Sequence, residues 1–289
     1  MTESVGAQPS FGARLSAVFA DTGHLCVGID PHPFLLAEWG LTDDAAGLRE
    51  FGLRVVDASA GVAGLLKPQV AFFERHGSAG YAALEEVFAA ARAAGILVIA
   101  DAKRGDIGTT VEAYAQSWLT PGSPLEADAM TISAFQGVGS IDAPHDLALA
   151  TGKGLFVLAA TSNPESIAPQ QAVIASGRHA GRSVAGSIVG SVNEWNNNEN
   201  GLGSTGVVLG ATITLADYGI LTDELATTPI LAPGFGSQGA RLDDLHSLYG
   251  AASANVIVSA SRSILSAGPT GVADAVARQA ADVTKAFAA

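Results

Sequence analysis

The amino-acid sequence predicts an α/β fold, a (β/α)8 TIM barrel in a single domain, and three observations carry that reading. About eight short apolar runs recur along the chain, and each is nearly continuously apolar rather than alternating, as in parallel strands buried on both faces. Segments rich in Ala and Leu separate the runs and can serve as the crossovers that parallel neighbours need. The length of 289 residues suits eight strand-helix units folded as one barrel. A doubly wound sheet fits the same alternation.

Taken in order, the first strand is read at 25–30 and ends on Asp30, and the second, at 63–67, ends on Lys67. A helix at 80–94 leads to the third strand at 96–101, which ends on Asp101 with Lys103 just beyond. A helix at 109–119 precedes the fourth strand at 127–133. The fifth, at 154–160, runs into Thr161 and Ser162. Residues 167–193 read as one long or broken helix, and 194–204, with four Asn and two Gly, as a loop within the same domain. The sixth strand at 205–211 is followed by a loop reaching 217, after which a helix is expected. The seventh at 228–233 precedes a glycine-rich loop, and the eighth at 255–260 delivers Ser261 and Arg262. A helix at 271–287 completes the domain, which is set at 11–289 behind a short N-terminal tail at 1–10.

The net charge of −13, from 15 Lys and Arg against 28 Asp and Glu, argues against nucleic acid and anionic membrane surfaces as partners. The single cysteine, Cys26, cannot pair within the chain and suits a reducing compartment. The N-terminus lacks a basic and an apolar targeting region, and no apolar run approaches the roughly 18 residues of a membrane span. A soluble cytoplasmic protein is therefore expected. The six histidines are scattered without a ligand-like spacing, so no metal site is expected. Residues 234–239 match G-x-G-x-x-G, but they come late in the chain, and position 259, where a ribose-binding acid would be wanted, is Ser. Ser162 lacks a G-x-S-x-G elbow and is not read as a nucleophile.

In a barrel of this class the active site lies at the C-terminal ends of the strands, so polar residues that end apolar runs are the candidates. Asp30, Lys67, Asp101 and Lys103 bring alternating charge to one rim. Alternate residues of an extended segment face the same side, so Asp101 and Lys103 can share a pocket while Ala102 points away. Opposite charges within a few Å favour both charged forms, which suits a fixed electrostatic device with a proton-donating lysine rather than a Schiff-base lysine. A phosphate site is suggested where the seventh and eighth units end. The Pro233–Gly239 loop lets backbone N–H groups approach an anion, and Arg262 can bind phosphate oxygens bidentately.

Together these residues resemble the orotidine 5'-monophosphate decarboxylase family, in the form of its longer bacterial subgroup. The resemblance runs from about Cys26 to Ile264 and rests on D-x-K-x-x-D at Asp101, Lys103 and Asp106. Val-Gly-Ile-Asp30, Lys67, Ser162-Asn-Pro, Pro-Gly-Phe-Gly-Ser-Gln238 and Ser-Arg262-Ser flank it. It implies cofactor-free decarboxylation of orotidine 5'-monophosphate to uridine 5'-monophosphate and CO2 in pyrimidine biosynthesis. Lys103 would protonate C6, and Asp101 would sit beside the leaving carboxylate. Asp106 would reach across the interface of a homodimer, with Thr110 near it, while Asp30 and Lys67 would contact ribose hydroxyls. Ser162 would bind the pyrimidine amide, and Gln238 and Arg262 would hold the phosphate. The alternative is a magnesium-dependent sugar-phosphate decarboxylase or aldolase of the same suprafamily, in which a Glu is expected where Lys67 stands. A non-catalytic nucleotide-binding barrel is a further alternative, disfavoured because Lys103 and both aspartates are present. No role is assigned to 164–204 or to 211–217.

Overall fold

The computed structural model describes residues 8–236 and 239–288. Eight parallel strands close into a barrel in sequence order: β1 (Leu25–Ile29), β2 (Leu65–Pro68), β3 (Leu97–Arg104), β4 (Ala129–Ile132), β5 (Gly154–Ala160), β6 (Thr205–Leu209), β7 (Ile230–Pro233) and β8 (Val256–Ala260). β8 returns beside β1, with Cys26 in register with Ser259. Every residue of β1, β2, β4, β6 and β8 is buried, which is why their sequences carry no alternation.

The helices are α1 (Phe11–Asp21), α2 (Pro33–Glu38), α3 (Ala45–Ser59), α4 (Val70–Glu74), α5 (Gly77–Ala93) and α6 (Gly108–Leu119), then α7 (Asp142–Ala150), α8 (Ile167–Gln171) and α9 (Val184–Asn196). The short α10 (Leu245–Tyr249) and α11 (Arg262–Leu265) precede the long α12 (Gly268–Ala288). Two apolar clusters result. The larger fills the space between strands and outer helices, and includes Phe51, Val87, Phe88, Trp118 and Val276. The smaller lies inside the barrel, where Cys26, Leu65, Ile99, Ala129, Phe156, Val208, Leu231 and Ile257 meet Phe11 and Leu15 of α1.

That helix stops the N-terminal end of the barrel. Ser10 caps it by accepting from the Ala13 N–H, and Phe11 packs edge-on to Phe156 with ring centroids 5.9 Å apart. A Cβ at residue 154 would stand 2.4 Å from the Phe11 ring, so glycine is required there for the helix to dock. The tail expected at 1–10 falls largely on residues 1–7, outside the described residues.

The structure decides one open sequence expectation, the long or broken helix at 167–193, and amends two others. The 167–193 stretch is broken: α8 ends at Gln171, residues 172–183 form a turn closed by a Val173–Ser183 bridge, and α9 then continues to Asn196. Consequently the Asn-rich loop begins after Asn196 rather than at 194. The expected helix after β6 is replaced by two 3-10 turns, Leu215–Tyr218 and Thr222–Leu225, because Gly219 adopts a left-handed φ of +64° and terminates the first.

Candidate active site

The strand ends surround a cavity of about 420 Å³ at the C-terminal mouth of the barrel. Asp30 from β1, Lys67 and Gln69 from β2, Asp101 and Lys103 from β3 and Thr131 from β4 line one side. Thr161, Ser162 and Asn163 follow β5, and Arg262 closes the far side beyond β8. Leu158, Val208, Leu231 and Phe235 form an apolar wall.

Asp101 is the hub. One carboxylate oxygen, Oδ2, accepts from Lys67 Nζ at 2.8 Å and from Gln69 Nε2 at 2.9 Å. The other, Oδ1, accepts from Lys103 Nζ at 2.6 Å and from Thr131 Oγ1 at 2.9 Å. Burial alone would raise this carboxyl's pKa, but the Lys67 and Lys103 charges and their hydrogen bonds outweigh it and hold the group well below the usual carboxylate range. For Lys67 burial works against the ammonium, while Asp101 and Asp30 more than compensate and raise its pKa. The pair is thus held as carboxylate and ammonium. Asp30, just beyond β1, lines the cavity, and its buried Oδ1 has no hydrogen-bond partner among the described residues.

Lys103 differs from Lys67 in both exposure and backbone. Its side chain is 47% exposed against 9% for Lys67, so its ammonium is open to the cavity. Its φ of +48° is the only positive value at a non-glycine residue among the described residues. Alternation along an extended segment, expected from the sequence, is therefore not how Asp101 and Lys103 come together. The β3–β4 register shifts between Ala100 and Arg104, and the chain bulges so that both side chains turn inward.

At the opposite side, Gly234 and Gly236 have φ of +120° and +75°, and the loop folds back through Gly236 N–H to the Ala240 carbonyl and Ala240 N–H to the Gly234 carbonyl. L-residues rarely adopt such values. Arg262 makes no side-chain hydrogen bond or ion pair among the described residues, which leaves its guanidinium available to a ligand. Gln238 lies outside the described residues.

The structure thus brings together Asp30, Lys67, Asp101, Lys103, Ser162 and Arg262 from distant points of the chain. Asp106 and Thr110 do not line the cavity of their own chain. Asp106 Oδ1 instead accepts from the Ile107 N–H at 2.9 Å, and Thr110 is exposed. Sequence reasoning missed Gln69, Thr131 and His32. Gln69 stands two residues beyond Lys67, a spacing that could have drawn attention to it. Thr131 sits inside an apolar strand, where a lone hydroxyl reads as core. His32 follows Asp30 and packs against Phe34 and Phe72, with ring centroids 5.3 and 4.3 Å away.

A family model described as "Orotidine 5'-phosphate decarboxylase / HUMPS family" matches residues 23–276. The Streptomyces coelicolor orotidine 5'-phosphate decarboxylase is 49% identical over 282 residues, covering 96% of this chain and 99% of the relative. That of a Nocardioides species is 51% identical over 256 residues, with 88% and 91% covered. Among solved structures, one from Streptomyces avermitilis superposes with a TM-score of 0.93 at 46% identity over all of both chains. The Leishmania donovani OMP decarboxylase gives 0.77 at 30% identity, covering 97% of this chain and 100% of that one.

Proposed function

The chain belongs to the orotidine 5'-phosphate decarboxylase / HUMPS family and is by that membership a carboxy-lyase; we propose that it converts orotidine 5'-monophosphate to uridine 5'-monophosphate and CO2 in pyrimidine biosynthesis, without a cofactor. The observation that carries this reading is the array of Asp30, Lys67, Asp101 and Lys103, all lining the cavity, in which the Lys103 ammonium is much the more open of the two.

The C6–carboxyl bond breaks with its electron pair left on C6, and that pair takes a proton from Lys103 Nζ. The neutral amine then recovers a proton from solvent. An ammonium already aimed at the carbon stabilises the developing charge without reorganisation, which is where preorganised electrostatics is most effective. Asp101 sits beside the leaving carboxylate and anchors Lys103. Lys67 and Asp30 address ribose hydroxyls, Ser162 the pyrimidine amide, and Arg262 with Gln238 the phosphate. Grip on the remote phosphate contributes to the chemical step by orienting the ring.

Asp106 and Thr110 act from a partner subunit in this reading. It is supported by their position outside their own cavity and by exposed apolar side chains next to them in the chain and one helical turn on: Ile107 at 61% and Tyr114 at 38%. Lys67 also weighs against the magnesium-dependent alternative, because an ammonium stands where a carboxylate ligand would be needed. The test follows the ultraviolet absorbance of orotidine 5'-monophosphate with the purified protein in excess EDTA. Turnover to uridine 5'-monophosphate is expected. Inactivity in EDTA, with magnesium-dependent turnover of a sugar phosphate, would overturn the assignment.

A further inference from the structure

We propose that Thr131 is a positioning residue for this reaction, its hydroxyl clamping the Asp101 carboxylate to the backbone N–H of Lys103 and so aiming the proton-donating ammonium. The inference rests on the reading of Lys103 given above.

The register of β3 against β4 is its starting point. Ala100 pairs with Met130 and Arg104 with Ile132, so Asp101, Ala102 and Lys103 together face a single residue, Thr131. Such a bulge leaves backbone groups without ladder partners. The Lys103 N–H finds one in the Thr131 side chain, donating to Oγ1 at 2.9 Å. The hydroxyl's own proton goes to Asp101 Oδ1 at 2.9 Å, the same oxygen that Lys103 Nζ approaches at 2.6 Å. No other polarity is available, because an N–H can only donate and an ionised carboxylate can only accept. Thr131 is 1% exposed, so bulk water does not compete for its hydroxyl.

The backbone gives the clamp its purpose. At φ +48° Lys103 occupies a left-handed conformation that is unfavourable for a non-glycine residue. Such strain persists only where the surroundings hold it. Thr131 touches both ends of the strained element, its backbone N–H and, through Asp101, its ammonium. Gln69 also donates to Asp101 but touches nothing of Lys103, so it steadies the carboxylate without setting the lysine's conformation.

Replacing Thr131 by Val keeps shape and removes both bonds. The orphaned N–H frees Lys103 to relax from positive φ, and misplacing a reacting group by about 1 Å costs on the order of 100-fold. The experiment measures kcat and KM for orotidine 5'-monophosphate in wild type, Thr131→Val, Thr131→Ser and Lys103→Ala. Calorimetric titration with uridine 5'-monophosphate counts competent sites. Thr131→Val is expected to lose roughly 10- to 100-fold in kcat with KM within about threefold and full binding stoichiometry. Thr131→Ser, which keeps the hydroxyl, should recover most of the rate. Should Thr131→Val lose nucleotide binding, Thr131→Ala is read against Thr131→Ser on the same terms. A hydroxyl-free variant with wild-type kcat, or a serine variant as slow as valine, would overturn the proposal. An inert wild type or a fully active Lys103→Ala would instead overturn the parent reading.

Discussion

The two ends of this barrel both bury charge, and they do so differently. At the N-terminal floor Arg14 of α1 pairs with Asp128, and its Nη2 donates to the Gly152 carbonyl at 2.7 Å. Asp128 Oδ2 accepts from the Val98 N–H at 2.9 Å, while Lys153, only 2% exposed, donates to Glu126 at 2.7 Å. Apart from Arg14 Nε, these buried groups find partners within the fold, many of them backbone. At the rim the same kinds of residue are less fully paired: among the described residues Asp30 Oδ1 has no hydrogen-bond partner and the Arg262 side chain makes no ion pair, while Lys103 is half-exposed. A charge satisfied by its own fold contributes to stability, whereas a charge left incomplete waits for a ligand.

The largest effect that could break this contrast is at Lys103. Because its side chain is half-exposed, Lys103→Ala should leave the melting temperature within a few degrees yet reduce kcat by at least about 1000-fold, within the range for removing a preorganised charge or general acid. Absorbance kinetics beside a thermal melt checks both halves. An active variant refutes the assigned proton donor, and a collapsed melt would make the rim as structural as the floor.

The mirror experiment is Asp128→Ala. Removing one member of a buried ion pair strands the other, here Arg14 and the Val98 N–H, at a cost of about 3 kcal/mol or more. A fall of roughly 5 °C or more in melting temperature is expected, with kcat per folded molecule unchanged. Lost kcat at temperatures where the variant is folded would show that the floor reaches the chemistry.

Arg262→Ala comes next and sharpens the division within the rim. A charge-assisted hydrogen bond is worth about 1.5–3 kcal/mol, so KM for the nucleotide should rise roughly 10- to 100-fold. The phosphate-free nucleoside should be almost unaffected. Equal effects on the two substrates would remove Arg262 from the phosphate site.

The sequence disclosed the rim more readily than the floor for a physical reason. Strands buried on both faces write unbroken apolar runs, so a polar residue at the end of a run, such as Asp30, Lys67 or Asp101, stands out. The bulge that turns Lys103 inward leaves no such mark, because it depends on how β3 pairs with β4. Thr131 was invisible for the same reason. α1 escaped notice because its meaning lies in tertiary docking, Phe11 against Gly154, rather than in its own pattern. By contrast, the break after α8 did have local signals in Pro169, Gly177 and Gly181, the two glycines both at φ +87°.

The smallest effect concerns a group that titrates near the floor and away from the cavity. His24 is stacked between Phe19 and Phe287, with ring centroids 3.9 and 3.8 Å away, and its Nδ1 lies 3.0 Å from the Val256 carbonyl. Burial lowers its pKa from 6.5 to about 4, only partly offset by that carbonyl. The unfolded chain therefore binds a proton that the folded chain refuses between those values. Since stability rises with pH wherever the unfolded state binds more protons, His24 destabilises the protein as pH falls from about 6.5 towards 4. Replacing it by Phe, which preserves the stack but cannot titrate, should flatten the fall in melting temperature over that window by a few degrees. At pH 7.5 kcat should not change, because no atom of His24 lines the active-site cavity. If the variant's melting temperature falls as steeply as wild type's, the proton is taken up elsewhere, and the carboxylates of the rim would be the groups to titrate next.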